Sequence, residues 1–202
     1  MKKKLNILFC LLSLIGFSQE NEKKFLKVGI YETFADFSAK LPNREIDFTK
    51  SQLKNNFSPA FQLRFKNGKR IKKAFCVSDG ENVYVKERQI KKLFKEKNRG
   101  NPIGDRRDYL LAYLQNDNFL YFENYFYSTG TALLGVGKMH LRGIIYDSSI
   151  KKFIVFKYGT DIKEFLSRVK PSLTKKHELT KEKVDIKFVR NIMLDFFERN
   201  EI

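Results

Sequence analysis

Lysine and arginine residues concentrate between Arg64 and Arg107, and this segment is the part of the chain best suited to bind a charged partner. It holds 15 Lys and Arg residues against five Asp and Glu residues, a net +10 of the +17 carried by all 202 residues. The cations that we assign to this basic surface are Lys69, Arg70, Lys72, Lys73, Lys91, Lys92, Lys95, Lys97 and Arg99. Such a surface attracts phosphate-bearing partners by counterion release, or an anionic membrane at about 1 kcal/mol per basic residue. The alternative is a solvated face that has no partner.

Carboxylates offer a second kind of chemistry, the hydrolysis of a polymer. Asp105, Asp108 and Glu123 are the candidates, and a glycosidase-type pair would need carboxyl groups roughly 5–9.5 Å apart. Nucleophilic catalysis has less support, because the chain holds only two histidines, His140 and His177, and no Gly-x-Ser-x-Gly elbow.

Cysteine and histidine are too scarce for a zinc site or a disulfide framework. Cys10 lies in an apolar run near the start of the chain, and Cys76 lies between Phe75 and Val77 in a predicted strand. This position indicates that Cys76 is a small core residue. No spacing of His, Cys or acidic residues indicates a metal site, so we assign no catalytic residue, no metal ligand and no cofactor.

A glycine-rich segment from Thr129 to Lys138 is the one candidate for a phosphate-binding loop. A P-loop has a glycine four residues before its Gly-Lys-Ser/Thr, but Ala132 stands at the first glycine position and Met139 at the hydroxyl position. A dinucleotide fingerprint is excluded as well, since His140 replaces its last glycine. These glycines therefore indicate bulges or tight turns.

The first 18 residues have the pattern of a secretory signal peptide. The lysines Lys2–Lys4 precede an apolar run from Leu5 to Phe17, and small residues favour cleavage before Gln19. The run is too short for a spanning helix, which needs about 20 apolar residues. The sequence therefore predicts an exported protein, periplasmic or extracellular.

Removal of residues 1–18 leaves one predicted domain, residues 19–202, with 37 basic and 23 acidic side chains and a net charge of +14. No later apolar run is long enough to cross a membrane, so none is expected in the processed chain. Export makes nucleic acid an unexpected partner for the basic surface. Anionic lipid head groups or glycans are the expected ones.

Alternation of apolar and polar residues predicts an antiparallel β-meander of about seven or eight strands. The pattern is clearest over 61–65, where the hairpin signal Asn67-Gly68 and a return strand over 71–77 follow. Asp79-Gly80 then turns the chain into a strand at 83–85. Further strands are predicted at 109–114, 119–127, 131–136, 141–146 and 153–158.

Helices are predicted around this meander. A short helix follows the N-cap Thr33, and a basic helix covers 87–98. Two amphipathic helices end the chain: the first is capped by Asp161 and ended by Pro171, and the second covers 184–200. The order predicts an α+β fold in which a sheet, curled toward a barrel, packs against a short N-terminal helix and two C-terminal helices.

Three short motifs carry a resemblance to known proteins: Gly29-Ile30-Tyr31-x-Thr33-Phe34-x-x-Phe37, the stretch Phe75-Cys76-Val77-Ser78-Asp79-Gly80-Glu81-Asn82-Val83-Tyr84, and the ending Glu198-Arg199-Asn200. In these motifs the chain resembles a group of exported, uncharacterised flavobacterial proteins. The resemblance implies an envelope or extracellular location and no assigned activity. It supplies no catalytic residues.

These observations favour an exported, non-enzymatic binding domain with a basic surface for anionic partners. Two alternatives stay open. One is a hydrolase of an envelope polymer that uses paired carboxylates. The other is a carrier of an apolar ligand, which would need an empty apolar interior inside the curled sheet.

Overall fold

The structure, a computed structural model, describes residues 26–52, 60–93, 101–102, 105, 107–127 and 139–198. The predicted signal peptide over 1–18, the predicted strand over 131–136 and the second half of the predicted basic helix lie outside these ranges. All statements on architecture refer to the described residues.

The described residues form ten strands and five helices. The strands are β1 (Gly29–Tyr31), β2 (Phe48–Gln52), β3 (Ala60–Phe65), β4 (Cys76–Ser78), β5 (Val83–Lys86), β6 (Asn101–Pro102), β7 (Tyr109–Gln115), β8 (Phe119–Tyr127), β9 (Met139–Asp147) and β10 (Lys152–Val155). The helices are α1 (Phe34–Ser38), α2 (Glu87–Leu93), α3 (Gly159–Val169), α4 (Pro171–Thr174) and α5 (Ile186–Glu198).

The strands form one antiparallel sheet that curls into a half-barrel. Its main path has the order β1-β4-β5-β7-β8-β9-β10, while β2 pairs with β3 and β6 pairs with β8. The predicted α+β fold with a curled meander is therefore confirmed. The curl has a local origin in β7, because one edge of this strand pairs with β5 and the other is divided between β3 and β8.

The predicted hairpin at Asn67-Gly68 forms only in part. The turn exists, with Gly68 at a φ of 79°, which a side chain would strain. The return strand predicted over 71–77 is wrong over 71–75, since a single bridge joins Arg64 to Arg70 and β4 begins only at Cys76. The reason is that the chain leaves β3 here and crosses to β1 and β5, so that β2 becomes the full-length partner of β3.

The helix signals are mostly confirmed. Thr33 caps α1 through a capping box: its hydroxyl accepts from the backbone N–H of Asp36, and the Asp36 carboxylate accepts from that of Thr33 at 2.8 Å. Asp161 acts differently from its predicted role as N-cap. It lies in the first turn of α3, and its carboxylate reaches back to the backbone N–H groups of Lys157 and Tyr158, each at 2.8 Å.

One face of the sheet carries an aromatic core. Register places Val85, Leu110, Ala112, Phe122 and Ile144 on this face, and α1 and α2 cover it with Phe37 and Ile90. Its rings pack edge to face or tilted, with centroids 4.7–5.8 Å apart, as aromatic pairs prefer.

The opposite face carries two further cores. One lies beneath the three C-terminal helices and includes Tyr121, Ile145 and Phe165. The other lies between the β2–β3 pair and strands β4, β5 and β7, and it includes Leu63 and Tyr84. No helix in the described ranges is long and apolar enough to cross a membrane.

Helix α5 is fixed to the sheet by a buried carboxylate. Glu123 on β8 is 2 % exposed, and the Nε and Nη2 atoms of Arg190 donate to its two oxygens at 2.7 and 2.6 Å. The Tyr121 hydroxyl also donates to Glu123, at 3.0 Å. Gly143 lies opposite Glu123 in the register, and a Cβ there would lie 2.7 Å from a methyl group of Val189. The close approach of α5 thus needs both the ion pair and the glycine.

We predict that Glu123→Gln lowers the free energy of unfolding by about 2 kcal/mol, because it leaves a bidentate guanidinium without its charged acceptor. Urea unfolding followed by circular dichroism measures the change. Asp47→Asn is the matched control, since the Asp47–Lys66 pair is exposed and should contribute less than about 0.5 kcal/mol. Equal effects of the two substitutions would contradict the anchoring role of Glu123.

Candidate functional site

The structure describes only part of the predicted basic surface. Lys69, Lys72 and Lys73 are exposed, and Arg70 is half-buried. Lys91 and Lys92 lie on α2, but their side chains are outside the described part of the chain, as are Lys95, Lys97 and Arg99 entirely. We define the basic ridge as Lys69, Arg70, Lys72, Lys73 and the exposed Arg88 at the start of α2.

Apolar residues between the cations hold the ridge in place. Ile71 is 2 % exposed and Ala74 is 4 % exposed, so the backbone is fixed inward while Lys72 and Lys73 point to solvent. The turn before the ridge is closed by two backbone hydrogen bonds of 2.9 Å, from the N–H of Phe65 to Lys69 and from the N–H of Gly68 to Phe65.

Among the described residues, Arg70 interacts electrostatically with the carboxylates of Asp105 and Asp108, whereas the other cations of the ridge form no ion pair. No ion pair within the described ranges involves Lys69, Lys72, Lys73 or Arg88. Other lysines of the protein are paired, as Lys50 is with Asp79 at 2.6 Å. Unpaired exposed cations on one short segment give a concentrated positive field.

A buried lysine supports the ridge from below. Lys86 is 5 % exposed at the end of β5, and its ammonium donates to the backbone carbonyls of Ile71 at 3.0 Å and Lys72 at 2.6 Å. It also donates to the Tyr109 hydroxyl at 3.1 Å. All three ammonium protons thus have acceptors, which is what a buried charge requires. Lys86 therefore ties the backbone of the ridge to the sheet.

Burial lowers the pKa of the Lys86 ammonium to about 8, with a further lowering from Arg88 and a partial compensation by Asp108. Desolvation disfavours the charged form of a lysine, so the direction follows from its position in the core. Burial also raises the pKa of Tyr109, the hydroxyl group that contacts Lys86.

The three candidate carboxylates do not come together at one place. Glu123 lies on β8 with both oxygens held by Arg190. Asp105 accepts a hydrogen bond from Arg107, which lowers the pKa of Asp105. Asp108 is 4 % exposed, and burial together with the Asp105 charge raises its pKa.

Cys76 and His177 both have surroundings that indicate a structural role. Cys76 is fully buried, as predicted, and burial raises the pKa of its thiol. His177 contacts the carboxylate of Asp195 at 3.1 Å, and its ring lies edge-on to Phe188. Among the described residues, no group of three or more His, Cys, Asp or Glu side chains could hold a metal ion.

A cleft of about 800 Å³ lies at one rim of the half-barrel. Its walls come from the end of α1, the β4–β5 turn and the end of β7. Leu26, Phe37 and Ala112 provide its apolar lining, and the remaining lining residues are mostly polar. No local pattern in the sequence predicts this cleft, because its walls are distant in the chain and come together only when the sheet curls.

The cleft and the basic ridge lie at opposite ends of the same strands. Strand β5 runs from Asn82, beside the cleft, to Lys86, beneath the ridge, a path of about 13 Å. Strand β7 begins next to Lys86 at Tyr109 and ends in the cleft wall at Gln115, about 20 Å away. The sheet therefore separates the two features.

We predict that the free energy of unfolding rises as pH increases from 8 to 9, and that Lys86→Met removes this rise. The folded pKa of Lys86 is about 8 against 10.5 for an ordinary lysine, so in this window the unfolded chain holds more protons and stability increases with pH. Above pH 9 the Cys76 thiol opposes the trend, because burial raises its pKa. Above pH 10 the buried tyrosines reverse it, because burial raises their pKa values, that of Tyr31 to about 12. Urea unfolding at several pH values measures the slope. Lys163 is exposed, so the control Lys163→Met should show the same rise as the wild type. A rise that persists in Lys86→Met would contradict its assignment to Lys86.

Two features of the described residues could therefore bind a partner. The basic ridge has unpaired cations on a backbone that Lys86 fixes. The cleft has an apolar floor and a polar rim. No family model, curated protein or solved structure matches the chain.

Proposed function

We propose that the protein is an exported binding domain that docks through its basic ridge onto an anionic surface of the cell envelope. The observation that carries the proposal is the set of exposed cations, Lys69, Lys72, Lys73 and Arg88, that have no carboxylate partner in the described part of the chain. The signal-peptide pattern over 1–18 supports the location.

Lipid head groups fit the ridge better than a glycan does. Three of its four exposed cations are lysines, which act as flexible point charges and do not impose bidentate geometry. Mobile phosphate groups in a membrane surface can adapt to such charges, whereas a fixed pattern of carboxylates or sulfates favours arginine. We therefore assign the partner as an anionic lipid surface, and a sulfated glycan becomes the competing outcome of the test.

The geometry gives the hydrolase less support than the binding domain. Both oxygens of Glu123 are occupied by Arg190, so this carboxylate holds α5 in place. Asp105 and Asp108 precede β7, whereas the cleft lies at the far end of that strand. The nearest lining residue on β7, Ala112, is four residues after Asp108, or about 13 Å along the strand, which is too far for Asp108 to act on a polymer in the cleft.

The apolar-carrier alternative would need space inside the curled sheet. On the face covered by α1, rings of Phe34, Phe75, Tyr146 and Phe153 fill the core with centroid separations of 4.7–5.5 Å. The space for a ligand is the cleft at the rim.

Vesicle binding tests the proposed function. The purified protein should sediment with vesicles that contain phosphatidylglycerol but not with pure phosphatidylcholine, and added salt should weaken the binding. Replacing Lys69, Lys72 and Lys73 together by Gln should cost about 3 kcal/mol, roughly a hundredfold in affinity.

The matched control removes the same charge elsewhere: Lys163, Lys175 and Lys181, all exposed on the C-terminal segment, are replaced together by Gln. This variant should keep most of the affinity. Equal losses in the two triple variants would show a net-charge effect and overturn the ridge. Binding to heparin with no binding to the vesicles would instead assign the ridge to a glycan.

A further inference from the structure

We propose that the rim cleft is a binding site for an uncharged amphipathic ligand, a glycoside whose hydrocarbon part contacts the cleft floor and whose hydroxyl groups contact its rim. This site is independent of the basic ridge, because the sheet separates the two. Its volume of about 800 Å³ lies in the usual range for small-molecule sites, about 300–1,000 Å³.

The floor determines the apolar part of the ligand. Leu26, Phe37 and Ala112 belong to the main aromatic core and also line the cleft, where each is less than a tenth exposed. An alkyl chain or the C–H face of a sugar would cover the edges of these groups that stay open to the cleft and gain from their burial.

The rim supplies polar groups that are not hydrogen-bonded to other residues in the described ranges. The Ser38 hydroxyl and the Gln115 amide have no hydrogen-bond partner among the described residues. Asn116 uses its side-chain oxygen to accept from the backbone N–H groups of Asn118 and Phe119, at 3.0 and 2.8 Å, which leaves its amide N–H₂ group to donate. Hydroxyl groups both donate and accept, and they match this set of groups.

The charges of the rim favour an uncharged head group. Lys40 pairs with Asp117 at 3.3 Å across the loops that end the cleft, so their charges compensate. Glu81 is exposed and leaves the lining with a net charge of −1. An anionic head group would be repelled there, whereas the basic ridge at the other end of the sheet would attract it.

The probe is n-octyl β-D-glucoside below its micelle concentration, added to the ¹⁵N-labelled protein. Chemical-shift changes should concentrate at the backbone amides of Ser38, Gly80, Asn82 and Gln115, and saturate with one site. Glucose alone should bind much more weakly because it lacks the hydrocarbon part. Octyl sulfate should perturb the ridge in preference to the cleft.

Two substitutions test whether the ligand binds in the cleft. Ala112→Leu fills the floor and should weaken octyl glucoside binding about tenfold or more. Gln115→Ala removes one exposed hydrogen-bonding group without disturbing the core, and it should weaken binding by about threefold to tenfold. Ser167→Ala, exposed on α3, is the control and should bind as the wild type does.

Each other outcome overturns the proposal. The site is absent if octyl glucoside leaves the cleft amides unchanged, or if Gln115→Ala and Ala112→Leu both bind as tightly as the control. Equal binding of glucose would contradict the role of the apolar floor. Equal binding of octyl sulfate at the cleft amides would contradict the uncharged ligand class.

Discussion

The division of one edge of β7 is the constraint on which the rest of the molecule depends. Tyr109 and Leu110 pair with β3 on this edge, while Ala112, Leu114 and Gln115 pair with β8, and a register irregularity separates Ala112 from Leu114. A bulge of this kind bends a strand and increases its twist. The sheet therefore closes into a half-barrel, which brings α1 and the β4–β5 turn against the end of β7 and creates the cleft. The same strand places Tyr109 beneath the basic ridge.

Buried charges act as anchors in this fold, and exposed charges are left for a partner. Glu123 fixes α5, and Lys86 fixes the backbone of the ridge through carbonyls of Ile71 and Lys72. Both of these buried charges are hydrogen-bonded, Glu123 to Arg190 and Lys86 to two carbonyls and a hydroxyl, which offsets the cost of removing them from water. The lysines above Lys86 are exposed to solvent and form no ion pair with any carboxylate in the described part of the chain. A rigid backbone that presents free cations loses little conformational entropy on docking, and this supports a binding role for the ridge.

Local patterns predicted most of the elements, and long-range pairing explains what they missed. Strand β8 has the predicted bounds, Phe119–Tyr127, because turn residues precede and follow a run rich in aromatic side chains, most of which are buried. The prediction of a return strand directly after Asn67-Gly68 was wrong because β3 pairs with β2 and β7 instead. No local pattern in the sequence specifies this choice of partner. The concentration of lysines predicted a basic surface in this part of the chain. It did not distinguish Lys86, which is buried, from the exposed lysines around it. Its burial follows from the position of β5 between β4 and β7, which only the folded sheet shows.

We propose that the ridge faces an anionic surface while the cleft end of the sheet faces away from it. Paramagnetic relaxation in nanodiscs that contain phosphatidylglycerol and spin-labelled lipid tests this orientation directly. We expect strong broadening of the amide signals of Lys69 to Lys73 and little broadening at Gly80 to Asn82, at the other end of β5. Broadening that is strongest at Gly80 to Asn82, or equal at both ends, would contradict it.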